Sequence, residues 1–135
     1  MPFWQLYYHF IWATKERLPM ISPQIEAKLY AVIASKVKEL GAIPFAIGGM
    51  EDHVHLAASV PPKVALAFFV GQIKGSSSHF INQEMSLEYR FGWQNEYGVF
   101  SFGKRSLPEI VQYVQNQKII HRNRQEIAYF ERIGM

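Results

Sequence analysis

The sequence predicts an α+β domain built on an antiparallel sheet. Segments rich in aromatic and β-branched residues alternate with segments whose apolar residues recur at helical spacing. Their order is strand, helix, strand, strand, helix, followed by a β-hairpin and a last helix. The 135-residue chain shows no repeat, low-complexity tract or linker. We therefore expect one domain that spans residues 1–135.

The first strand and the first helix are indicated by composition and by helix-terminal residues. Residues 3–14 (FWQLYYHFIWAT) are rich in the residue types that favour strands. Ser22 followed by Pro23 is typical of a helix N-cap and its first position. Apolar residues then follow at helical spacing: Ile25, Leu29, Val32, Ile33, Val37 and Leu40. Gly41 is expected to end this helix.

The central part of the chain predicts two strands and a second helix. Residues 43–49 and 53–60 read as strands joined by a short turn that contains glycine. Residues 62–82 carry apolar side chains at helical spacing, which predicts the second helix.

The last third predicts a hairpin and a final helix. Residues 89–103 are expected to form the hairpin, with its turn near residues 95–98. Ser106 and Glu109 have the S-x-x-E spacing of a capping box, which opens a helix that we extend over residues 109–125.

Two consecutive strand-helix-strand units predict a ferredoxin-like antiparallel sheet with helices on one face. Such a sheet can leave its second face to solvent. Because alternate residues of a strand share a face, His53 and His55 point to one side while Val54 and Leu56 point to the core. We expect the two imidazoles on an open face, where other folds of this class bind single-stranded nucleic acid.

Composition excludes several kinds of chemistry. The chain has no cysteine, so disulfides, thiolate catalysis and cysteine-ligated zinc are ruled out. The net charge of +3 is mild and does not by itself identify a polyanionic partner. The start of the chain lacks the features of a signal peptide, and the longest apolar run is too short to span a bilayer. We expect a cytoplasmic protein with no membrane partner.

The His53–His55 pair alone is more often two surface histidines than a site. A metallo-hydrolase H-x-H-x-D motif is excluded because Ala57 stands at the aspartate position. A metal site would need a further ligand, and the last helix offers Gln117 one turn after Tyr113. At this spacing a phenol and an amide can face the same point, although a tyrosine in a helix is more often a packing residue.

Five sequence blocks, in this order and spacing, resemble a known family: YYHFIWATKERLP, DHVHL, KGSSSHFI, WQNEYGVFS and YVQNQKIIHR. They are similar to the small single-tyrosine transposases (TnpA type, insertion-sequence 200/605-like) of the HUH endonuclease superfamily. The resemblance implies that His53, His55 and Gln117 bind Mg²⁺ or Mn²⁺. It further implies that Tyr113 cleaves single-stranded DNA through a 5′-phosphotyrosine.

The resemblance also implies hairpin-forming DNA ends as partners, no nucleotide cofactor, and a homodimer whose active sites form in trans. Tyr97 is the rival nucleophile, since it lies in the predicted turn. The candidates for phosphate contacts are basic: Lys74, Lys104, Arg105, Arg122 and Arg124. Two alternatives stay open, a non-catalytic single-strand nucleic-acid binder on the same fold and a metal-dependent hydrolase that uses the same histidines.

Overall fold

The computed structural model describes residues 2–134. A four-stranded antiparallel sheet has the strand order β2-β3-β1-β4. The strands are β1 (Tyr7–Ala13), β2 (Ile43–Met50), β3 (His53–Ser59) and β4 (Gly98–Phe102). The helices are α1 (Pro23–Glu39), α2 (Leu66–Glu84), α3 (Leu107–Gln115) and α4 (Gln117–Arg122). The predicted ferredoxin-like α+β fold is confirmed. No helix within residues 2–134 is long and apolar enough to cross a membrane.

The main core lies between the sheet and the helix pair α1 and α2. Val54, Leu56 and Ala58 of β3 are fully buried there, as the strand alternation predicts. The helical periodicity of α1 is also confirmed, because four of the six predicted residues are the buried ones: Ile25, Leu29, Ile33 and Val37. The other two, Val32 and Leu40, are half-buried. Burial of this apolar stripe, rather than helix propensity, supplies most of the stability of such a helix.

The ends of α1 follow the sequence prediction only in part. Ser22 has an extended backbone ahead of Pro23, and its carbonyl accepts the N–H groups of Ile25 and Glu26 at 3.0 Å. Its side chain makes no capping hydrogen bond. Gly41 has a φ of 84°, a left-handed conformation that favours glycine, and therefore ends the helical segment as predicted.

The predicted hairpin over 89–103 is wrong. Only Gly98–Phe102 pairs with β1, and Trp93 forms an isolated bridge with Thr14. Side chains of α2 satisfy the preceding backbone instead. The Asn82 amide binds both the N–H (2.8 Å) and the carbonyl (2.9 Å) of Phe91, and Lys74 donates to the carbonyls of Gln94 and Glu96. Backbone groups bonded in this way need no strand partner.

The last helix is broken rather than continuous over 109–125. Asn116, with φ −101° and ψ 24°, separates α3 from α4. The predicted capping box is also absent, because Ser106 is in the helical region, ends a short 3₁₀ turn (Lys104–Ser106) and makes no side-chain cap. An N-cap needs a non-helical backbone, which Ser106 does not have.

The second face of the sheet is covered, which corrects the expectation of an open surface. The helix α3 packs on β2 and β3, where Ile110 and Val114 contact Ala46 and Ala57. The approach is close, since a Cβ atom on Gly48 would lie 1.9 Å from the carbonyl oxygen of Val114. The histidine pair is therefore enclosed between the sheet and the C-terminal part of the chain.

Candidate functional site

The histidine pair is held in place by hydrogen bonds through one ring nitrogen of each side chain. His53 and His55 are 2% and 0% exposed. Nδ1 of His53 lies 2.8 Å from the Asp52 carboxylate, and Nδ1 of His55 lies 2.8 Å from Nε2 of His9. When Nδ1 of each ring carries the proton, Nε2 presents its lone pair to the space between the rings. This is the usual arrangement of metal-binding histidines.

His9 is a site residue that the sequence analysis missed. It lies on β1 opposite Ala57, so it is diagonal to His55 on the same face of the sheet. Burial, followed by the nearby charge of His55, lowers the pKa of His9 to about 3. The ring is therefore neutral and its Nε2 can accept the proton of His55. Residues of a strand alternate between its two faces, so His9, next to the core residue Phe10, could have been predicted to lie on the same face as the histidine pair.

Tyr113 and Gln117 lie on either side of the helix break. Tyr113 is 7% exposed in the last turn of α3, and Gln117 is 1% exposed at the start of α4. The amide Nε2 of Gln117 donates to the Tyr113 carbonyl at 3.0 Å, which leaves Oε1 directed at the histidines. That oxygen lies 3.4 Å from Nε2 of His53 and 2.9 Å from Nε2 of His121. The four predicted site residues are thus brought together within one chain.

Glu131 is a second residue that the sequence analysis missed. It belongs to a short 3₁₀ helix (Ala128–Glu131), and its Oε1 lies 3.3 Å from Nε2 of His53 and 3.2 Å from Nε2 of His55. Its Oε2 accepts the hydroxyl proton of Tyr113. No motif or spacing identifies this acid, because it is 76 residues from His55 in the chain.

The charges of the site balance one another. Burial would lower the pKa of His53, but hydrogen bonds with Asp52 and Glu131 outweigh it and raise that pKa to about 9. Burial would likewise raise the pKa of Glu131, yet the hydrogen bonds with His53 and His55 hold it well below its ordinary value. Burial and the bond to Glu131 raise the pKa of Tyr113. In this state His53 is cationic, Glu131 anionic and Tyr113 neutral.

The other predicted residues lie outside this centre. Tyr97, the rival nucleophile, packs against the core on the α1–α2 side of the sheet. Lys74 donates to the carbonyls of Gln94 and Glu96 at 2.8 and 2.9 Å, so its ammonium already has backbone partners. The exposed basic residues flank α3 and α4: Lys104, Arg105, Arg122 and Arg124. Their phosphate contacts stay predictions.

The donor set fits a divalent cation. His53, His55, His121 and Glu131 each offer one ligand atom, and these atoms lie within 4.8 Å of one another. Adjacent ligands of an octahedral ion bound at about 2.1 Å are roughly 3 Å apart. The separations of 3.2 to 3.4 Å between the histidine nitrogens and the Glu131 and Gln117 oxygens are close to this value. Imidazole and oxygen ligands together suit Mn²⁺, and Mg²⁺ when water and phosphate complete its shell.

The sheet carries the histidine pair beneath the helix of Tyr113, and comparison with known proteins identifies the class of protein to which this fold and site belong. A family model described as "Transposase IS200 like" matches residues 2–117. The chain belongs to this family of transposases. Its activity class is therefore DNA cleavage and strand transfer.

Individual relatives support the assignment. The chain is 27% identical to the ISDra2 transposase TnpA of Deinococcus radiodurans over 119 residues, which covers 84% of this chain and 85% of the relative. It is 23% identical to the transposase for insertion sequence element IS200 of Salmonella typhimurium, covering 84% and 78%.

Two solved structures share the fold. A Deinococcus radiodurans protein solved as a candidate transposase superposes with a TM-score of 0.68 at 26% identity, over 86% of this chain and 93% of that one. A REP-associated tyrosine transposase bound to a REP hairpin gives a TM-score of 0.65 over 90% and 74%. At 15% identity, this second likeness concerns the fold alone.

Proposed function

We propose that this chain is a metal-dependent single-strand DNA transposase that cuts and rejoins DNA ends through a 5′-phosphotyrosine on Tyr113. One observation carries the proposal. The Tyr113 hydroxyl contacts one oxygen of the Glu131 carboxylate, and Nε2 of both His53 and His55 contacts the other, so the proposed nucleophile lies beside the two proposed metal-binding nitrogens.

His53, His55 and Gln117 would hold the Mg²⁺ or Mn²⁺ ion. When bound, the cation supplies Lewis-acid polarisation of the phosphate and compensates the charge that develops during the reaction. The protein supports it by orientation, because Asp52 and His9 fix the two imidazole rings through Nδ1.

The tyrosine performs the covalent chemistry. Its phenol oxygen attacks the phosphorus, and the bond from phosphorus to the 3′-oxygen of the adjoining strand breaks as the new bond forms. The phenol proton is given up, and the leaving 3′-oxygen gains a proton to become a hydroxyl. Attack by another 3′-hydroxyl on the phosphotyrosine reverses these steps and releases Tyr113. One phosphoester bond forms for each one that breaks, so no nucleotide cofactor is required.

The substrate is proposed to be single-stranded DNA with hairpin-forming ends. The exposed pairs Lys104–Arg105 and Arg122–Arg124 flank the helices that carry the tyrosine, and would contact phosphates. A cytoplasmic location is part of this proposal.

Covalent capture tests this function. The protein is incubated with labelled single-stranded oligonucleotides and Mg²⁺ or Mn²⁺, then denatured. A labelled species that survives denaturation at the mass of the protein plus DNA is the expected result. A nucleic-acid binder would retard DNA without forming this species, and a hydrolase would cut DNA without it.

Metal binding should strengthen as pH rises. A cation must displace the proton of His53, whose pKa is about 9, so the apparent Mn²⁺ affinity should increase roughly tenfold per pH unit between pH 6 and 8. Calorimetry in buffers of different ionisation enthalpy should count about one released proton. Asp52→Asn, which weakens the bond that raises this pKa, should flatten the slope at the upper end of the range. An affinity that is constant with pH would contradict the assigned ionisation.

We further propose a homodimer whose active sites form in trans. Within the single chain, α3 and α4 lie on their own sheet, and the same contacts would form if two chains exchanged these helices across a two-fold axis. Gly103 precedes the exchanged part, and a Cβ there would meet nothing within 4 Å, so the connection has room to reorient.

Subunit mixing distinguishes the two arrangements. Tyr113→Phe and His53→Ala proteins should each be inactive, whereas their mixture should recover cleavage, because a mixed dimer has one complete site in trans. If sites form in cis, neither subunit of the mixed dimer is complete. Exchange between differently tagged subunits must first be verified. If the mixture then shows no cleavage, the sites form in cis and the proposal of sites in trans is wrong.

A further inference from the structure

The segment that follows α4 lies beyond the part of the chain matched by the family model, yet it reaches the centre of the site. We name residues 123–134 the C-terminal segment. It is anchored at two points around Glu131. The Phe130 ring packs edge-on against Tyr113, with centroids 5.2 Å apart, and Ile133 is 8% exposed in a small cluster with Ile11. Its backbone also follows β4 closely, since a Cβ on Gly98 would lie 1.9 Å from the Arg132 carbonyl oxygen.

These anchors place the two oxygens of one carboxylate in different surroundings. Oε1 of Glu131 lies 3.3 Å from Nε2 of His53 and 3.2 Å from Nε2 of His55. Oε2 accepts the hydrogen of the Tyr113 hydroxyl. The hydroxyl oxygen also accepts the N–H of Ile127 at 2.9 Å, so the C-terminal segment fixes the phenol from two directions.

We infer that Glu131 is a metal ligand supplied by the C-terminal segment, and that its carboxylate bridges the cation and the Tyr113 hydroxyl. This inference rests on the proposed function and deepens it. Two histidines and one carboxylate form a set that leaves coordination positions open for Gln117, water and phosphate oxygens. The anionic ligand also favours hard cations such as Mn²⁺ and Mg²⁺, which prefer oxygen.

A purely electrostatic role for Glu131 is separated from ligation by a variant that keeps the charge. Glu131→Gln removes the charge, so both roles predict weaker Mn²⁺ binding, on the order of 10- to 100-fold if Glu131 is a ligand. Glu131→Asp keeps the charge but withdraws the carboxylate by one methylene from His53 and His55. Its Mn²⁺ affinity should fall if Glu131 is a ligand and stay close to that of the unmodified protein if Glu131 is only a nearby charge.

The full chain is titrated with Mn²⁺ alone. Binding is measured by calorimetry and by the electron paramagnetic resonance signal of free Mn²⁺. Glu126→Gln is the matched control. Glu126 lies in the same segment and carries the same charge, but it pairs with Nδ1 of His121 at 3.3 Å rather than with His53 or His55. Because it offers no ligand atom itself, the Mn²⁺ affinity of Glu126→Gln should fall much less than that of Glu131→Gln. Equal thermal melting of the metal-free variants verifies folding.

Proteolysis gives a second readout that needs no DNA. Arg124 is exposed at the start of the C-terminal segment, where trypsin can cleave. Saturating Mn²⁺ should slow this cleavage in the unmodified chain and in Glu126→Gln, but not in Glu131→Gln, because the cation ties the segment down only through Glu131. Equal protection of all three proteins would overturn the inference.

The outcome also separates this inference from the proposed function. If His53→Ala loses Mn²⁺ binding while Glu131→Gln binds as tightly as the unmodified protein, Glu131 is not a ligand and the histidine site stands. If His53→Ala and Glu131→Gln both bind normally, the metal site itself is wrong.

Discussion

Replacing Tyr113 by phenylalanine should abolish the covalent protein–DNA species and reduce strand cleavage by on the order of 10⁴-fold or more, the scale on which enzymes lose rate without their nucleophile. The variant removes only the attacking oxygen. The ring should remain in place, because it packs against His55 and Phe130 at centroid distances of 5.8 and 5.2 Å. DNA affinity should be nearly unchanged, since phosphate contacts dominate it.

Tyr97→Phe is the matched control for this variant. It removes the same atom from a tyrosine that packs against the opposite face of the sheet, and it should form the covalent species at the normal rate. Gel retardation of single-stranded DNA and thermal melting should accompany both variants. Normal capture of DNA by Tyr113→Phe would remove this residue from the mechanism, and loss of capture in Tyr97→Phe would assign the nucleophile there.

The fold was largely predictable because its strongest determinants are local. Alternation in β3 separates His53 and His55 from Val54 and Leu56 whatever the rest of the chain does. The predicted hairpin over residues 89–103 is absent because of contacts between residues far apart in the chain. Asn82 of α2 takes both backbone groups of Phe91, an interaction between side chain and backbone that no residue pattern between 89 and 97 contains.

The site residues that could be predicted are pairs that lie close together in the sequence. His53 and His55 share a strand face, and Tyr113 and Gln117 stay close across the break at Asn116 because the Gln117 amide holds the Tyr113 carbonyl. Helical periodicity did not predict that break, because Asn116 favours turns only weakly on its own and has no neighbouring glycine or proline.

The unpredicted part of the site depends on tertiary structure. His9 reaches His55 across two paired strands, and Glu131 returns from a segment without regular periodicity. Their roles follow from proximity, which neither composition nor spacing encodes. For the same reason the covering of the second sheet face by α3 was not predicted, although Ile110 and Val114, which pack on that face, stand four residues apart in the sequence.

Removal of either histidine should eliminate metal binding and cleavage together. His53→Ala and His55→Ala each delete one nitrogen ligand of the proposed site, and we expect Mn²⁺ affinity to fall on the order of 100-fold or more, since even supporting residues of metal sites typically contribute 10- to 100-fold. Gln117→Ala should give a smaller loss, because a water molecule can replace a neutral amide ligand. His79→Ala is the matched control, since His79 is exposed on α2, whose helix lies on the other face of the sheet.

Both histidines are buried, so their loss also perturbs folding, and the experiment must separate the two effects. Truncation removes one of the two partners of Asp52 in His53→Ala, since Arg17 remains at 3.2 Å, and removes the Nε2 partner of His9 in His55→Ala. Both losses should lower the melting temperature of the metal-free proteins. Calorimetric Mn²⁺ titration well below that temperature isolates binding from stability. Added Mn²⁺ should raise the melting temperature of the unmodified protein and of His79→Ala, because the cation binds only the folded state, and should not raise that of either site variant. If both site variants bind Mn²⁺ as tightly as the control, the two histidines serve the fold and the metal-dependent mechanism is wrong.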